Sequence, residues 1–425
     1  MDSSTTSNYI STLGNEASVE REYERDFSPV SALNIGSPIE FLVPGTSLFY
    51  VSLTDSYFDI QVKITNLDGS NLANDAPVGP ANLMAHTMFS NIELYLNGKQ
   101  ITEPTNHYHY RAYMDTLLNT SLNSLTKRKI MEGWLIDTSG HVNEPNAHDG
   151  DNAGLVARAA WFANSRSHRL ILRPRLDLFN QEADIPPNTD IRIRLIPNSD
   201  AVVLMNSGNG VYRFQIQSIR FWAHTREMAS NLLVSQQQLV HSGISYQIVF
   251  PTIRTKTLHV PIGTLRQEFD NLYLGQLPHR VIMVMLSGAN VTGTFGSNPF
   301  NFQNFDLNYL ALRVNGELVP RYGFTPNFGV AQDYIRDYLQ VVGAIDLAPL
   351  NPDGVCLSPV EWANGFTFFA FKLFPNQGSL RANGSVRMDI RFGTQTTGQI
   401  TILLISESMG CVEIDKYKNV ILNTN

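Results

Sequence analysis

The chain has 425 residues, of which 43% are hydrophobic and only 16% are charged, and its formal net charge is −7. This length allows two domains of about 200 residues, each with enough apolar side chains for a core of its own. The acidic balance excludes a protein that coats nucleic acid with a basic surface. Two cysteines, Cys356 and Cys411, are too few for a disulfide framework or a four-ligand zinc site.

The polar residues are mainly turn formers. Asparagine occurs 37 times and lysine 8 times, and glycine and proline together account for 50 positions. This composition predicts many short strands joined by tight turns. No apolar run is long enough to cross a bilayer, and the N-terminus lacks the apolar core of a signal peptide, so we expect a chain that folds inside the cell and is not secreted.

Residues 1–37 are predicted to form a polar N-terminal arm. Six acidic and two basic residues lie within the first 26 positions, which leaves no apolar face that could pack into a core. Such a segment is either a frayed terminus or an arm that docks on a neighbouring subunit. The sequence leaves both interpretations open.

Residues 38–225 are predicted to form the first domain, and their clearest feature is a hairpin. The segment 89–102 alternates apolar and polar residues and turns at Asn97-Gly98. Both residues of an Asn-Gly pair accept a positive φ, so the pair is a strong signal for a two-residue type I′ turn. In the segment 107–118, Tyr110, Tyr113 and Leu117 follow helical spacing, which predicts a helix after the hairpin.

Residues 226–243 are predicted to connect this domain to a second one, which spans 244–425. The connection contains no proline, its only glycine is Gly243, and it has moderate helical periodicity, so we expect a helix. A partly extended strand over 232–240 is the alternative. Alternating segments within 244–262 are interpreted as the opening strands of the second domain.

A long internal repeat relates the two domains. The segment 307–320 alternates in the same phase as the first hairpin and turns at Asn315-Gly316. It is followed by a predicted helix over 330–342, then by a Leu-Phe pair at 373 that matches one at 178, and by a strand whose leading Asp at 389 matches one at 190. Four markers in one order indicate a duplication. Two unrelated β domains that converged on the same pattern are the alternative.

Each domain holds about eight strand candidates and one helix in a long connection. Eight antiparallel strands can hide their edges by folding into two packed sheets, the jelly roll. We therefore predict an all-β double jelly roll, made of two tandem eight-stranded antiparallel β-sandwiches with short helices in the connections. The extra length of the first domain falls in residues 119–165, which we interpret as an insertion in a surface loop.

Four arginines are candidate subunit-interface residues. They alternate with apolar neighbours, so the pattern predicts that they share one outward sheet face, and they are Arg173, Arg175, Arg192 and Arg194. Arginine is favoured at interfaces because its guanidinium is planar and weakly hydrated. A solvated sheet face is the alternative interpretation.

The sequence does not fully match the motifs that would indicate catalysis or cofactor binding. The phosphate-binding loop is absent, because Gly98-Lys99 is followed by Gln and not by Ser or Thr. His107 and His109 lack the glutamate that follows the histidine pair of a cupin metal site, and the surrounding pattern is helical, so a packed or solvated pair is favoured. The loop from His148 to Asn152 lacks the bidentate glutamate of a calcium loop. Cys356 is interpreted as an idle thiol, and we expect no catalytic, metal or cofactor site.

The segment 298–305 is rich in phenylalanine. An aromatic loop of this kind could stack on a sugar ring. We favour the interpretation that its phenylalanines pin a long loop to the sandwich.

Several longer stretches carry a family resemblance. They include PANLMAHTMFSNIELYLNG (80–98), YHYRAY (108–113), LDLFNQ (176–181), LYLGQLP (272–278) and NPFNF (298–302). In these stretches the chain resembles the double-jelly-roll major capsid proteins of the Polinton/Maverick elements and the adintoviruses. The hexon-type capsid proteins of adenoviruses, tailless phages and virophages are its wider relatives. The likeness runs from about residue 38 to 420 and is weak over 140–165.

The resemblance implies a major capsid protein that is not an enzyme. Such proteins form homotrimeric, pseudo-hexameric capsomers that tile the icosahedral shell of a DNA virus or a virus-like mobile element. The implied partners are other copies of the chain, penton and minor capsid proteins, and the enclosed double-stranded DNA, which is not bound sequence-specifically. The loops 119–165 and 286–306 are candidates for outward towers, and the implied location is the virion. A minor vertex protein and a glycan-binding or glycan-processing double sandwich are the rival hypotheses.

Overall fold

The computed structural model describes residues 19–345, 357–374 and 383–424. Strands dominate these ranges. The first half contributes β1 Val19–Phe27, β2 Ile39–Val43, β3 Phe49–Asn66, β4 Val78–Pro80, β5 Phe89–Leu96, β6 Lys99–Gln100, β7 His168–Leu172, β8 Ile191–Pro197, β9 Leu204–Asn206 and β10 Tyr212–Met228. The second half contributes β11 Tyr246–Val260, β12 Arg266–Gln276, β13 Arg280–Ser287, β14 Leu307–Val314, β15 Glu317–Phe324, β16 Phe368–Lys372, β17 Asn383–Phe392, β18 Ile400–Ile414 and β19 Val420–Thr424.

The helices lie in the connections between strands. They are α1 Met84–Thr87, α2 Tyr108–Asn119, α3 Leu122–Lys127, α4 Ala153–Ala160, α5 Asp200–Val203, α6 Ser230–His241, α7 Gly288–Thr292, α8 Ile335–Ala344 and α9 Pro359–Ala363, with short 3₁₀ turns at Lys129–Glu132, Ala163–Ser165 and Asp177–Asn180. No helix in the described residues combines the length and the apolar character that crossing a bilayer requires.

The sheet order shows the duplication directly. In the first half the strands pair as β1-β10-β3-β7 and β2-β8-β5-β6, and all pairs are antiparallel. In the second half they pair as β11-β18-β13-β16 and β12-β17-β14-β15, with β19 added beside β18. Taking the strands of each half in chain order, without β4 and β9, gives one and the same pairing scheme. The predicted double jelly roll is therefore confirmed.

Each sandwich is held together by the alternating residues of its strands. In β5, Ile92 and Leu94 are fully buried, and Leu310 of β14 is buried at the matching place in the second half. Across the first sandwich, the Phe41 ring of one sheet meets the Phe58 ring of the other at a centroid distance of 5.1 Å. Burying such a side chain contributes about 1.5–3 kcal/mol, so the period-two pattern largely determines which face of each sheet turns inward.

Part of the predicted N-terminal arm is a strand. Residues 19–27 form β1, which pairs with β10 along its whole length and corresponds to β11 of the second half. The structure therefore starts the first sandwich at Val19 and not at residue 38. Its side chains are largely charged and exposed on both faces, so no apolar periodicity marks it as a strand.

The predicted helices occur with shifted ends. The helix after the first hairpin spans Tyr108–Asn119, close to its expected bounds. The helix after the second hairpin spans Ile335–Ala344 and includes Gly343, whereas the sequence pattern predicts an end before that glycine. A further helix, α6, lies within the segment 226–243 that links the halves.

Candidate functional site

The two Asn-Gly turns are built alike. At Asn97 and Gly98 the φ angles are 46° and 80°, and at Asn315 and Gly316 they are 51° and 92°, as a type I′ turn requires. The side-chain oxygen of Asn97 accepts the backbone N–H of Asp190 at 2.8 Å. That of Asn315 accepts the N–H of Ser385 at 3.0 Å. Each asparagine thus shapes its own turn and also anchors the start of the neighbouring strand.

The four predicted arginines do not share one face, which corrects our expectation. Arg192 and Arg194 lie on β8 and point outward, each 43% exposed, where they pair with Glu40 at 3.3 Å and Glu93 at 3.4 Å. Arg173 and Arg175 follow β7, which belongs to the opposite sheet of the sandwich. The chain changes sheets between the two pairs, and sequence alternation alone cannot show that change.

Arg175 belongs to a buried charged cluster. Its guanidinium lies 3.4 Å from an Asp115 oxygen and 3.5 Å from a Glu132 oxygen. Lys129 binds the other Glu132 oxygen at 2.7 Å, and the buried His86 ring lies 3.3 Å from Glu132. Because Arg175 is engaged in this cluster, its guanidinium is not available to a partner subunit.

The protonation states of this cluster follow from burial and charge. Burial lowers the pKa of His86, so its ring stays neutral at neutral pH. Burial opposes ionisation of Glu132, but His86, Arg175 and Lys129 outweigh it and hold the pKa of Glu132 below its usual range. The Glu132 carboxylate therefore lies between the cations Arg175 and Lys129, beside a neutral imidazole, which suits a structural role.

A second buried polar cluster joins the two halves, and we call it the junction: Asp137, Val142, Asn152 and Arg158 of the first half with Asn298 of the second half. Arg158 is fully buried and donates to an Asp137 oxygen at 2.6 Å and to the Pro80 carbonyl at 3.0 Å. The Asn298 amide donates to the other Asp137 oxygen at 3.0 Å and to the Val142 carbonyl at 2.8 Å. A residue of the second half thus completes the buried ion pair of the first.

Aromatic rings surround the junction. Phe300 stacks on Tyr113 of α2 at a centroid distance of 4.1 Å, and Tyr113 meets Trp134 at 5.1 Å. Phe300 and Phe302 are fully buried. The segment 298–302 is therefore packed against the first half. This agrees with the interpretation that its phenylalanines hold a long loop against the sandwich.

The two loops expected as surface insertions hold much of this buried region. The segment 119–165 contains Arg158 and the buried Trp134 and Leu155, and the segment 286–306 contains Asn298. The prediction of a simple surface loop over 119–165 is therefore corrected. The large apolar residues of that segment were the sequence signal for its burial. They are easily overlooked among its many Asn, Gly and Ser residues.

The loop considered for an ion is organised by its own side chains. Asn152 is buried, caps α4 by accepting the Leu155 N–H at 3.3 Å, and donates to Asp137 at 3.0 Å. Asp149 accepts from Asn146 at 2.6 Å. Within the described ranges no group of three or more His, Cys, Asp or Glu side chains is placed to hold a metal ion. Cys356 lies outside the described residues.

Comparison with known proteins identifies chains of similar fold. No protein-family model matches the chain. An uncharacterized protein of Caenorhabditis elegans is 19% identical over 413 residues, which cover 93% of this chain and 95% of that protein. A solved chain of the Sputnik virophage has a TM-score of 0.64 at 10% identity and covers 96% of this chain and 89% of its own. The chain is a double jelly roll.

Two further structures agree with this double jelly roll over its full length. The mavirus major capsid protein has a TM-score of 0.54 at 10% identity, with 94% of this chain and 90% of that chain covered. The Faustovirus major capsid protein has a TM-score of 0.52 at 9% identity, with 95% and 90% covered. Each match spans nearly the whole chain, so it includes both sandwiches of the double jelly roll.

Proposed function

We propose that the chain is a major capsid protein, which assembles as a homotrimeric, pseudo-hexameric capsomer in the icosahedral shell of a DNA virus or a virus-like mobile element. The observation that carries the proposal is the matching strand order of the two sandwiches within one chain, in an arrangement shared end to end with viral major capsid proteins. A fold alone does not specify a function. Here the duplication itself suits the task.

Three chains with two similar sandwiches each present six similar lobes. Such a ring has the shape of a hexagonal tile and needs few distinct contacts to cover a shell, which is an economical use of closed symmetry. The junction supports this proposal, because a buried ion pair completed across the halves resists hinge motion between them. A capsomer has to keep its shape while it is in contact with neighbouring capsomers.

The lineage that fits best is that of the Polinton/Maverick elements and the adintoviruses. The sequence stretches described above support it, and so does the full-length relative in an animal, Caenorhabditis elegans. The partners in this proposal are other copies of the chain, penton and minor capsid proteins, and the packaged double-stranded DNA. The net charge of −7 fits a shell that leaves neutralisation of the DNA to other proteins.

The proposal assigns assembly and no catalysis to this chain. The outward Arg192 and Arg194 remain candidates for contacts between subunits, since each is 43% exposed. Arg173 is also exposed and stays a candidate. Arg175 is withdrawn, because its charge is already satisfied inside the first half.

The mass of the purified protein in solution tests the proposal. We expect a particle of three times 47.5 kDa by light scattering, and hexagonal tiles or closed shells by electron microscopy at higher concentration. A pentamer would favour the vertex protein. A stable monomer that binds glycans would contradict the capsid proposal and favour the glycan-binding alternative.

A further inference from the structure

The structure shows how the first strand of the second half docks on the first half. β11 is an edge strand, and its free edge lies against the surface that follows the Asn97-Gly98 turn. The backbone N–H of Ile253 points to the Asp177 carboxylate at 3.4 Å, and that of Thr255 donates to the Glu103 carboxylate. The hydroxyls of Thr105 and Thr255 are hydrogen-bonded at 2.8 Å. Carboxylates of the first half thus satisfy the free N–H groups of an edge strand.

The duplication creates the same pair of surfaces a second time. β1 corresponds to β11, and the surface after the Asn315-Gly316 turn corresponds to the one after Asn97-Gly98. In the described residues β1 pairs with β10 and is the end strand of its sheet, so no described strand lies beside its other edge. The surface after the Asn315-Gly316 turn of a second molecule can therefore meet this edge.

The charges on the second pair of surfaces are inverted. Arg321 stands six residues after Asn315, as Glu103 stands six after Asn97, and Lys372 precedes its Leu-Phe pair as Asp177 does. β1 carries the acidic residues Glu20, Glu22, Glu24 and Asp26. Glu22 and Asp26 pair with Arg226 and Arg220 of β10. Glu20 and Glu24 are exposed and form no ion pair in the described part of the chain, although Glu24 is hydrogen-bonded to Tyr57 of β3. The acidic strand and the basic surface are complementary.

The basic surface also has the composition of an interface. Tyr322 is 68% exposed, and the Arg321 and Arg336 guanidiniums lie 6.0 Å and 5.8 Å from its ring centre. Ile335 and Leu339 are exposed one turn apart on α8, next to Arg336. Exposed tyrosine and arginine beside apolar side chains are typical of residues that carry much of the energy of a protein interface.

We propose that β1 of one chain docks on the Arg321, Tyr322 and Arg336 surface of a second copy, at the position that corresponds to the docking of β11 on the first half. Acidic side chains of β1 then face arginines, whereas N–H groups of β11 face carboxylates. The contact is heterologous, so its repetition around a threefold axis closes a ring of three chains, in which contacts within and between chains alternate. This inference rests on the proposed capsomer and names the surfaces that form it. Glu20 and Glu24 supply the charges that face the arginines.

Charge reversal tests these surfaces. The variants Arg321→Glu/Arg336→Glu and Glu20→Lys/Glu24→Lys each place like charges across the contact, and we expect each to weaken trimer formation by about 100-fold in dissociation constant. Combining all four substitutions restores opposite charges and should return the constant to within about tenfold of the wild type. The matched control is Lys127→Glu/Arg128→Glu, with the same charge change on exposed residues at the end of α3, and it should leave the trimer unchanged.

The outcomes separate this inference from the proposed function. If the wild type and both reversal variants form trimers with equal affinity, the docking of β1 is refuted, whereas the capsid proposal is not affected. A wild type that is monomeric at every concentration would overturn both. If a reversal variant does not fold, mixing Glu24→Cys chains with Arg321→Cys chains and adding a short bifunctional maleimide provides the test. A cross-linked pair containing one chain of each kind supports the contact, and its absence refutes it.

Discussion

At the scale of single residues, the most informative position is Asn298. Its amide binds the Asp137 carboxylate and the Val142 carbonyl, which lie more than 150 positions earlier in the chain. Asp137 in turn neutralises the fully buried Arg158. Removing one member of such a network leaves buried polar atoms without partners, which costs more than a surface hydrogen bond contributes.

We therefore expect Asn298→Ala to destabilise the protein by about 2 kcal/mol, because one Asp137 oxygen and the Val142 carbonyl lose a donor. The measurement is the free energy of unfolding from denaturant titration. Asn308→Ala, on the exposed side of β14, is the matched control and should change stability by less than about 0.5 kcal/mol. Equal effects of the two substitutions would contradict the role given to the junction.

Buried histidines make stability depend on pH. Burial lowers the pKa of His109 to about 3, and its Nδ1 atom lies 3.3 Å from the Asn198 amide. The unfolded chain takes up a proton near pH 6.5, whereas the folded chain does not. Stability is therefore complete above pH 6.5 and is lost as the pH falls toward 3, by about 1.4 kcal/mol for each pH unit.

His109→Gln tests this dependence, because glutamine keeps a polar group at the site but does not titrate. Between pH 6.5 and pH 5, the stability of the wild type should fall more steeply than that of the variant, by about 1.4 kcal/mol per unit. The measurement is a series of denaturant titrations across this range. His148→Gln, on an exposed side chain, serves as control. Parallel curves for wild type and His109→Gln would refute the assignment.

At the scale of elements, glycine is favourable in a turn that needs a positive φ and unfavourable inside a helix. Gly316 has a φ of 92°, and no atom lies within 4 Å of the place that a Cβ would take, so a side chain there would be strained by the backbone alone. Gly343 lies within α8 with equally open surroundings and no positive φ. The two glycines therefore differ only in backbone conformation.

We expect Gly316→Ala to destabilise the protein by about 1 kcal/mol and Gly343→Ala to stabilise it by about 0.5–1 kcal/mol. The helical alanine reduces the conformational freedom of the unfolded chain, whereas the turn alanine is forced into a left-handed conformation. Comparison of the two melting temperatures measures both effects. The same sign for both substitutions would contradict the type I′ assignment of the second hairpin.

At the scale of the whole molecule, one chain contains two copies of a sandwich joined by a buried polar junction. The strand order is the same in both copies, but their exposed charges differ, with acidic residues on β1 and arginines on β15 and α8. A duplicated chain that had kept identical surfaces could not distinguish its two kinds of neighbour. In the proposed capsomer, this divergence of charge would give each contact its own partner.

If trimers form, the melting temperature should rise with protein concentration, because association stabilises only the folded state. We expect the rise in the wild type, and in Arg321→Glu/Arg336→Glu we expect it only at higher protein concentration, as measured by calorimetry over a wide concentration range. The Lys127→Glu/Arg128→Glu control should behave as the wild type does. A wild-type melting temperature that does not change with concentration would contradict assembly through these surfaces.

Much of the fold could be predicted from the residues alone. The alternation of apolar and polar residues in β5 and β14 depends only on residues that are close in sequence, and so do the two Asn-Gly turns. Such short-range patterns can be recognised directly in the sequence. The same reasoning missed β1, whose side chains are charged and whose strand conformation comes from pairing with β10, about 200 positions away. It also placed Arg175 on the same sheet face as Arg192 and Arg194, whereas the chain changes sheets before β8.

By itself, the sequence determined the all-β class, the two hairpins and the duplication, because these follow from backbone preferences and from apolar periodicity within short segments. The tertiary structure decided which polar groups are buried together and which surfaces are left open. Asn298 meets Asp137, and the edge of β11 meets Asp177, only because the sandwiches are packed as they are. Ion pairs and docked edges depend on distances in space, which local sequence patterns do not encode.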